Sequence, residues 1–305
     1  MSEEISIKGM PIAVLMGGPG VEREVSLNSG RAVAGALRAG GAEVTEVDVP
    51  GPDFVVPAGT ALAYNMIHGT FGEDGQIQKI LQDRGVPYTG EGVEGSRVAF
   101  DKILSKKQFA AADLPTAAWQ VLRLGEECTF APPCVVKAPR QGSSIGVHIV
   151  RSREALAVAL TDCFQFGDEV LVEEYFVGRE LTVGILGSRA LPIIEIVPQD
   201  GIYDYQHKYT KGTTTYFVPA EIGDEATRQV QEVSLAAHRA LGLEIYSRVD
   251  VLLAPDGRLN IMEINTIPGM TETSLLPKAA AVVGLDFPAL CARIASLSLQ
   301  RFPKN

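Results

Sequence analysis

The sequence predicts a mixed α/β and α+β fold, with an open parallel α/β sheet at the N-terminal end followed by two α+β units. Three observations carry that reading. Apolar strand-like runs alternate with helical periodicity over the first third of the chain, the pattern of a parallel sheet. Further on, short strands gather around a Gly/Ser loop and one amphipathic helix. Near the C-terminal end, two alternating runs flank Asp256-Gly257, the strongest short hairpin signal. The 305 residues, 46% hydrophobic and 21% charged, suffice for two or three packing units.

In order, residues 11–16 form an apolar run expected as a buried parallel strand, which enters Gly17-Gly-Pro-Gly20. Val25, Ala32, Val33, Ala36 and Leu37 then recur at near-helical spacing until Gly40-Gly41 stops the helix. Strands over 44–49 and 62–67 follow, then a short helix over 76–84 ended by Gly85. The run Pro87-Tyr-Thr-Gly-Glu-Gly92 is punctuation and marks the first boundary. A single helix is expected over about 96–112, strands over 134–137, 147–150 and 170–173, and a helix over 152–164 with Ser152 as N-cap. Strands over 181–186 and 191–197 turn at Gly187-Ser188. A long polar and aromatic loop, 198–219, reads as a lid or binding segment. A helix over 224–241, the hairpin over 247–265 and a helix over 287–299 complete the chain. The units expected are 1–94, 95–177 and 178–305.

Composition excludes several classes. The net charge of −10 argues against nucleic acid held on a broad basic face. No run approaches the roughly 18 uninterrupted apolar residues of a membrane span. The start, Met1-Ser-Glu-Glu-Ile5, is acidic where a secretory signal is basic, so a soluble cytoplasmic protein is expected. Cys128, Cys134, Cys163 and Cys291 form no C-x-x-C and have no His at ligand spacing, so they read as reduced, mostly buried thiols.

The hairpin is the most informative feature. A two-residue or four-residue loop around Asp256-Gly257 pairs Asp250 with Glu263 and Arg248 with Asn265, all four projecting from one face. Two carboxylates at ~5 Å repel by about 3 kcal/mol at an effective dielectric of ~20. Something cationic belongs between them. Asp, Glu and an Asn carboxamide are hard oxygen ligands that suit Mg²⁺ or Mn²⁺; the alternative is a structural network neutralised by Arg248.

The loop Arg140-Gln-Gly-Ser-Ser-Ile-Gly146 follows a strand ending in Lys137 and is either a phosphate cradle or a plain hairpin loop. It also fits G-x-S-x-G. A nucleophile elbow, however, needs a strand running into Ser144 and a helix leaving it, and Pro139 and a following strand speak against a hydrolase. Gly17-Gly-Pro-Gly20 lacks the dinucleotide spacing G-x-G-x-x-G. Lys102 and Lys106 share a helical face and by themselves read as surface lysines. His68 closes a buried strand, where open α/β sheets hold ligands.

Taken in order, these pieces resemble the D-alanine–D-alanine ligases of the ATP-grasp superfamily over nearly the whole chain. The likeness rests on Gly17-Gly-Pro-Gly-Val-Glu-Arg-Glu-Val-Ser26, His68-Gly-Thr-Phe-Gly-Glu-Asp-Gly75, Tyr88-Thr-Gly90, Asp101-Lys102 and Gly142-Ser-Ser-Ile-Gly-Val147. It continues in Tyr203-Asp-Tyr-Gln-His-Lys-Tyr209, Arg248-Val-Asp250, Glu263-Ile-Asn-Thr-Ile-Pro-Gly-Met-Thr271 and Ser274-Leu275. One departure is Lys137-Ala138-Pro139, where the family has Pro directly after the lysine.

The resemblance implies two ATP-grasp domains clamping ATP as co-substrate, a D-alanyl phosphate intermediate, and D-alanyl-D-alanine for peptidoglycan. It implies two Mg²⁺ ions on Asp250, Glu263 and Asn265, with Mn²⁺ able to substitute. It places Lys102, Lys137, Ser143 and Lys208 on the phosphates, Glu173, Glu174 and Phe176 at adenine, and Glu180 on the ribose. Glu22 and His68 are expected at the first D-alanine, Arg248 and the Gly269 N–H at the oxyanion, and Ser274 and Leu275 at the second carboxylate. Tyr209 and Ser143 are expected to link with Glu22 when the lid closes. A homodimer is expected from the family alone. The rival within the resemblance is a sibling ligase making a depsipeptide such as D-alanyl-D-lactate, or another dipeptide; the Tyr-Asp-Tyr…Lys-Tyr lid favours the amine nucleophile.

Overall fold

The computed structural model describes residues 5–198 and 214–302. The expected sites Lys208 and Tyr209, and most of the expected lid, lie outside the described residues.

The first layer is a parallel sheet. β1 (Pro11–Gly17) lies between β2 (Glu43–Val49) and β3 (Leu62–Asn65), in order β2-β1-β3. Ile12 to Met16 are all buried, as expected of a strand covered on both faces. α1 (Arg23–Ala39) packs on this sheet through Val33, Ala34 and Leu37 and ends at Gly40. β3 stops two residues earlier than expected because the Asn65 side chain takes over the backbone bonding. Its Oδ1 accepts from the Ile67 N–H at 3.1 Å and its Nδ2 donates to the Gly72 carbonyl at 3.1 Å. α2 (Gln76–Asp83) follows.

The expected single helix over 96–112 is two helices, α3 (Val93–Phe100) and α4 (Lys102–Ala111), broken at Asp101. Asp101 adopts an extended backbone and its carboxylate accepts from the N–H groups of Ile103 and Leu104, an N-cap that periodicity alone did not show. The second sheet is antiparallel, in order β4-β7-β5-β6, from β4 (Trp119–Arg123), β5 (Cys134–Lys137), β6 (Val147–Val150) and β7 (Glu169–Glu174). β4 was not expected, since its five residues carry little alternation. α5 (Arg153–Cys163) covers the sheet, with the Ser152 hydroxyl capping the Ala155 N–H as expected.

The third sheet runs β11-β10-β8-β12-β13, with short β9 on β8. Its strands are β8 (Arg179–Leu186), β9 (Arg189–Ala190), β10 (Ile194–Pro198), β11 (Thr214–Phe217), β12 (Tyr246–Leu253) and β13 (Leu259–Asn265). The end of the expected 198–219 loop is therefore partly strand. α6 (Asp224–Ala240) packs on one face through Val230 and Ala237. α7 (Leu275–Val282), also not expected, packs on β8. There Gly184 leaves room for it, since a Cβ at that position would lie 2.5 Å from Leu276. α8 (Phe287–Gln300) returns to the first layer and buries Leu290, Cys291 and Ile294 there. Among the described residues no single helix is long and apolar enough to cross a membrane.

The hairpin closes differently from either expected loop. The Ala254 N–H donates to the Arg258 carbonyl and the Gly257 N–H to the Ala254 carbonyl, with Gly257 at φ +86°. That is a three-residue loop, which by itself would slip the register by one. A bulge at Met262 slips it back, so Asp250 faces Glu263 and Arg248 faces Asn265 as expected.

Candidate active site

The turn after β1 aims the first acidic residue. The Ser26 hydroxyl accepts from the Gly17 N–H at 2.8 Å and donates to the Met66 carbonyl at 2.7 Å, tying the start of α1 to the end of β3. Glu22, just before α1, makes no cap and reaches into a cavity of about 570 Å³. Its carboxylate lies against Gly142, where a Cβ would come within 2.7 Å.

The Gly/Ser loop joins antiparallel β5 and β6, so no helix leaves Ser144 and the nucleophile elbow is absent. Ser143 and Ser144 both sit at positive φ, +51° and +61°, a conformation rare for non-glycine residues that turns Ser143 inward. The Ser143 hydroxyl donates to Glu22 Oε1 at 2.5 Å, across 121 residues of chain. Lys102 Nζ donates to the Gln141 carbonyl at 2.8 Å and lies 3.4 Å from Glu263 Oε2. One lysine thus joins the loop to the hairpin. Neither Lys102 nor Lys106 is a surface lysine; both are buried.

On β12, Arg248 grips Asp250 through two bonds, Nε to Oδ1 at 3.0 Å and Nη2 to Oδ2 at 2.8 Å. The Thr182 hydroxyl donates to the same Oδ1. Asp250 is buried beneath Arg248, while Glu263 and Asn265 line the cavity. The alternative expected for the hairpin, a network neutralised by Arg248, is present at Asp250, and Lys102 sits beside Glu263. The donor set still fits a hard divalent ion, because Asp250, Glu263 and Asn265 offer only oxygen ligands from one face of two paired strands.

His68 is buried and bonded at both ring nitrogens. Nδ1 contacts the Ile267 carbonyl at 2.8 Å and Nε2 the Ser29 hydroxyl at 3.0 Å. A carbonyl only accepts, so Nδ1 carries the proton and Nε2 accepts from Ser29. Burial lowers the imidazole pKa, in keeping with the neutral ring. His68 thereby anchors the loop carrying Gly269. Ser274, at the cap position of α7, accepts from the Thr271 N–H at 3.0 Å. The opening of α7 at Ser274 and Leu275 meets the cavity wall, where helix N–H groups favour an anion.

A second polar cluster lies off this cavity. Glu173 is buried between Lys137 at 2.5 Å and Lys106 at 2.6 Å. Burial alone would raise its pKa, but the two ammonium groups outweigh it and hold the carboxyl below the ordinary range. Lys106 also donates to the Thr116 hydroxyl at 2.7 Å, while its own burial lowers its pKa. Glu174 is exposed, Phe176 lies under the Arg258 guanidinium at 5.5 Å, and Glu180 is half-buried opposite Ile196 and Leu252.

Sequence reading gave no role to Glu73 or Ser29. Glu73 lines the cavity, accepts from the Gly69 N–H at 2.8 Å, and is pushed up to about 8 by burial and then by the Glu22 charge. No spacing rule singles it out within its motif.

A family model described as the D-ala D-ala ligase C-terminus matches residues 107–296. The chain is 46% identical over 291 residues to a D-alanine–D-alanine ligase of Methylacidiphilum infernorum, covering 95% of this chain and 96% of that one. It is 46% identical over 292 residues to the corresponding protein of Citrifermentans bemidjiense, covering 94% and 96%. The crystal structure of D-alanine–D-alanine ligase from Bacillus anthracis complexed with ATP superposes with a TM-score of 0.83 at 33% identity, covering 96% of this chain and 98% of that one.

Proposed function

This chain belongs to the D-alanine–D-alanine ligase family, and we propose that its cavity carries out that ligation with the residues described above. The protein is an ATP-dependent ligase that forms a C–N bond between two D-alanines. Its product serves peptidoglycan synthesis.

One observation carries the residue assignment. Glu22 and Ser143 come from separate sheet units yet share a hydrogen bond inside the cavity that also holds Arg248, Glu263, Gly269 and Ser274. Glu22 faces the ammonium of the first D-alanine, and Ser143 orients it. Arg248 and the Gly269 N–H donate to the oxygen that gains negative charge as the tetrahedral centre forms, a role worth several kcal/mol in comparable sites. His68 holds the Gly269 loop in place. The α7 terminus at Ser274 and Leu275 takes the carboxylate of the second D-alanine, leaving its amine to attack.

The two α+β units clamp ATP. Lys102, Lys137 and Ser143 meet the phosphates, Glu173, Glu174 and Phe176 border adenine, and Glu180 takes the ribose. Asp250, Glu263 and Asn265 would hold two Mg²⁺ ions, with Mn²⁺ able to replace them. Bound there, the ions would neutralise phosphate charge. Lys208 and Tyr209 belong to the lid of this reading, Lys208 on the transferring phosphoryl group and Tyr209 beside Ser143. The units are taken as 1–94, 95–177 and 178–305, in a cytoplasmic homodimer.

The test is a substrate swap. With ATP and Mg²⁺, D-alanine should release phosphate and yield D-alanyl-D-alanine, while L-alanine should not. Faster product formation when D-lactate is offered as second substrate would move the assignment to a depsipeptide ligase. Absence of phosphate release from folded protein with any of the three would remove it.

A further inference from the structure

Three side chains that the proposed reaction does not use meet behind the Gly/Ser loop. His148 on β6 and Asp162 and Cys163 on the last turn of α5 bring an imidazole nitrogen, a carboxylate oxygen and a thiol sulfur within 4.8 Å of one another. None lines the cavity. His148 Nε2 already lies 2.7 Å from Asp162 Oδ2. Both are half-exposed, whereas Cys163 is buried.

We propose that His148, Asp162 and Cys163 form a binding site for a thiophilic divalent cation such as Zn²⁺, separate from the oxygen-ligand site on the hairpin. The ligand types select the metal. Nitrogen and sulfur donors favour zinc, at bond lengths of about 2.1 and 2.3 Å, over magnesium, which keeps to oxygen. Charge balances as well, because one dication, one thiolate and one carboxylate sum to zero beside a neutral imidazole. The half-exposed side of His148 and Asp162 leaves access for a water as fourth ligand. Sequence spacing could not reveal the site, since His148 and Cys163 lie on different elements and meet only through packing.

Occupancy alters the loop. Without metal, the Cys163 S–H donates to the Gly146 carbonyl at 3.2 Å. Forming the metal–sulfur bond releases that proton to solvent and removes the S–H···O bond. Gly146 keeps only its bond from the Ala138 N–H, at 2.7 Å. Gly146 closes the loop whose Ser143 bonds Glu22, so zinc loosens the group that orients the first substrate. This second half rests on the ligase reading; the site itself does not.

The test begins with the full chain, free of metal and nucleotide, titrated with Co²⁺ as the spectroscopic stand-in for zinc. A near-ultraviolet thiolate-to-cobalt band should saturate at one equivalent, be displaced by Zn²⁺ but not by Mg²⁺, and be absent in Cys163→Ser and His148→Ala. Cys163 is a core residue, so the half-exposed His148 carries the test should the serine variant not fold. A folded wild type without the band, or a band that persists in His148→Ala, overturns the site even if D-alanine turnover is intact. At saturating Mg·ATP, zinc should raise the KM for D-alanine several-fold in wild type and not in His148→Ala. Equal zinc sensitivity in both overturns the coupling to the loop.

Discussion

Ser143 shows how much one side chain decides. Its left-handed backbone points a hydroxyl at Glu22 from a loop that in sequence is indistinguishable from an ordinary hairpin connection. A hydrogen bond to a charged group contributes about 1.5–3 kcal/mol. Ser143→Ala should therefore raise the KM for the first D-alanine by roughly ten- to a hundred-fold, since each 1.4 kcal/mol is a factor of ten. A steady-state titration of D-alanine at saturating ATP measures it, and an unchanged KM would refute the orienting role. Lys102 and Lys106 teach the reverse lesson. On a helical wheel both read as solvated, yet carboxylates draw them inward, the cavity-lining Glu263 for Lys102 and the buried Glu173 for Lys106. Residue type was legible there, but burial was not, because the partners lie on strands remote in sequence.

At the scale of elements, the hairpin register came out as expected through two departures that cancel. The loop has three residues instead of two or four, and the extra residue at Met262 restores the pairing. Met262 is the unpaired residue between the pairs Val251–Ile261 and Asp250–Glu263, so deleting it should take out the bulge and leave Glu263 opposite Asp250 in a regular ladder. Turnover should therefore persist, and its loss would show that the bulge itself aims Glu263. β13 lies at a sheet edge, so the fold should survive, as circular dichroism would report. Asp101 is the second such device. It breaks a continuous helical pattern, caps α4 and accepts from Arg140 Nε at 2.7 Å. Asp101→Ala should cost about 1–2 kcal/mol in denaturant unfolding, the usual loss of an N-cap, whereas Asp101→Asn should retain most of it. The strand at Trp119–Arg123 and the helix at Leu275–Val282 escaped sequence reading for a common reason. Each is short, and packing against a neighbour contributes more to it than its own periodicity does.

Across the whole molecule, buried acids tie the units together. The Glu91 carboxylate accepts from the N–H groups of Glu244, Ile245 and Tyr246, at 2.7, 2.9 and 2.9 Å, and so fastens the end of the first unit to the start of β12. Burial outweighs those bonds and raises its pKa from 4.5 to about 7, while that of Glu73 rises to about 8. The folded chain then keeps protons that the unfolded chain has released. This contribution to stability is complete below about pH 4.5 and is lost as pH rises through about 7 to 8. The thermal midpoint should fall between about pH 5 and pH 8.5, and Glu91→Gln should flatten that slope whatever it does to the midpoint itself. An equal slope in the variant would show that Glu91 does not titrate in this window.

Most of the element order and the parallel character of the first sheet follow from the sequence by itself, because periodicity is local. The expected pairing of Asp250 with Glu263, by contrast, is reached through a loop and a bulge that only the structure shows. The family was legible too, since its motifs keep their order along the chain. Tertiary structure alone decided which charges are buried against one another, that Arg248 covers Asp250, that His68 holds the Gly269 loop, and that His148 meets Cys163. These contacts join residues far apart in the chain. Their energies come from desolvation and from donor–acceptor geometry, which exist only after the elements have packed.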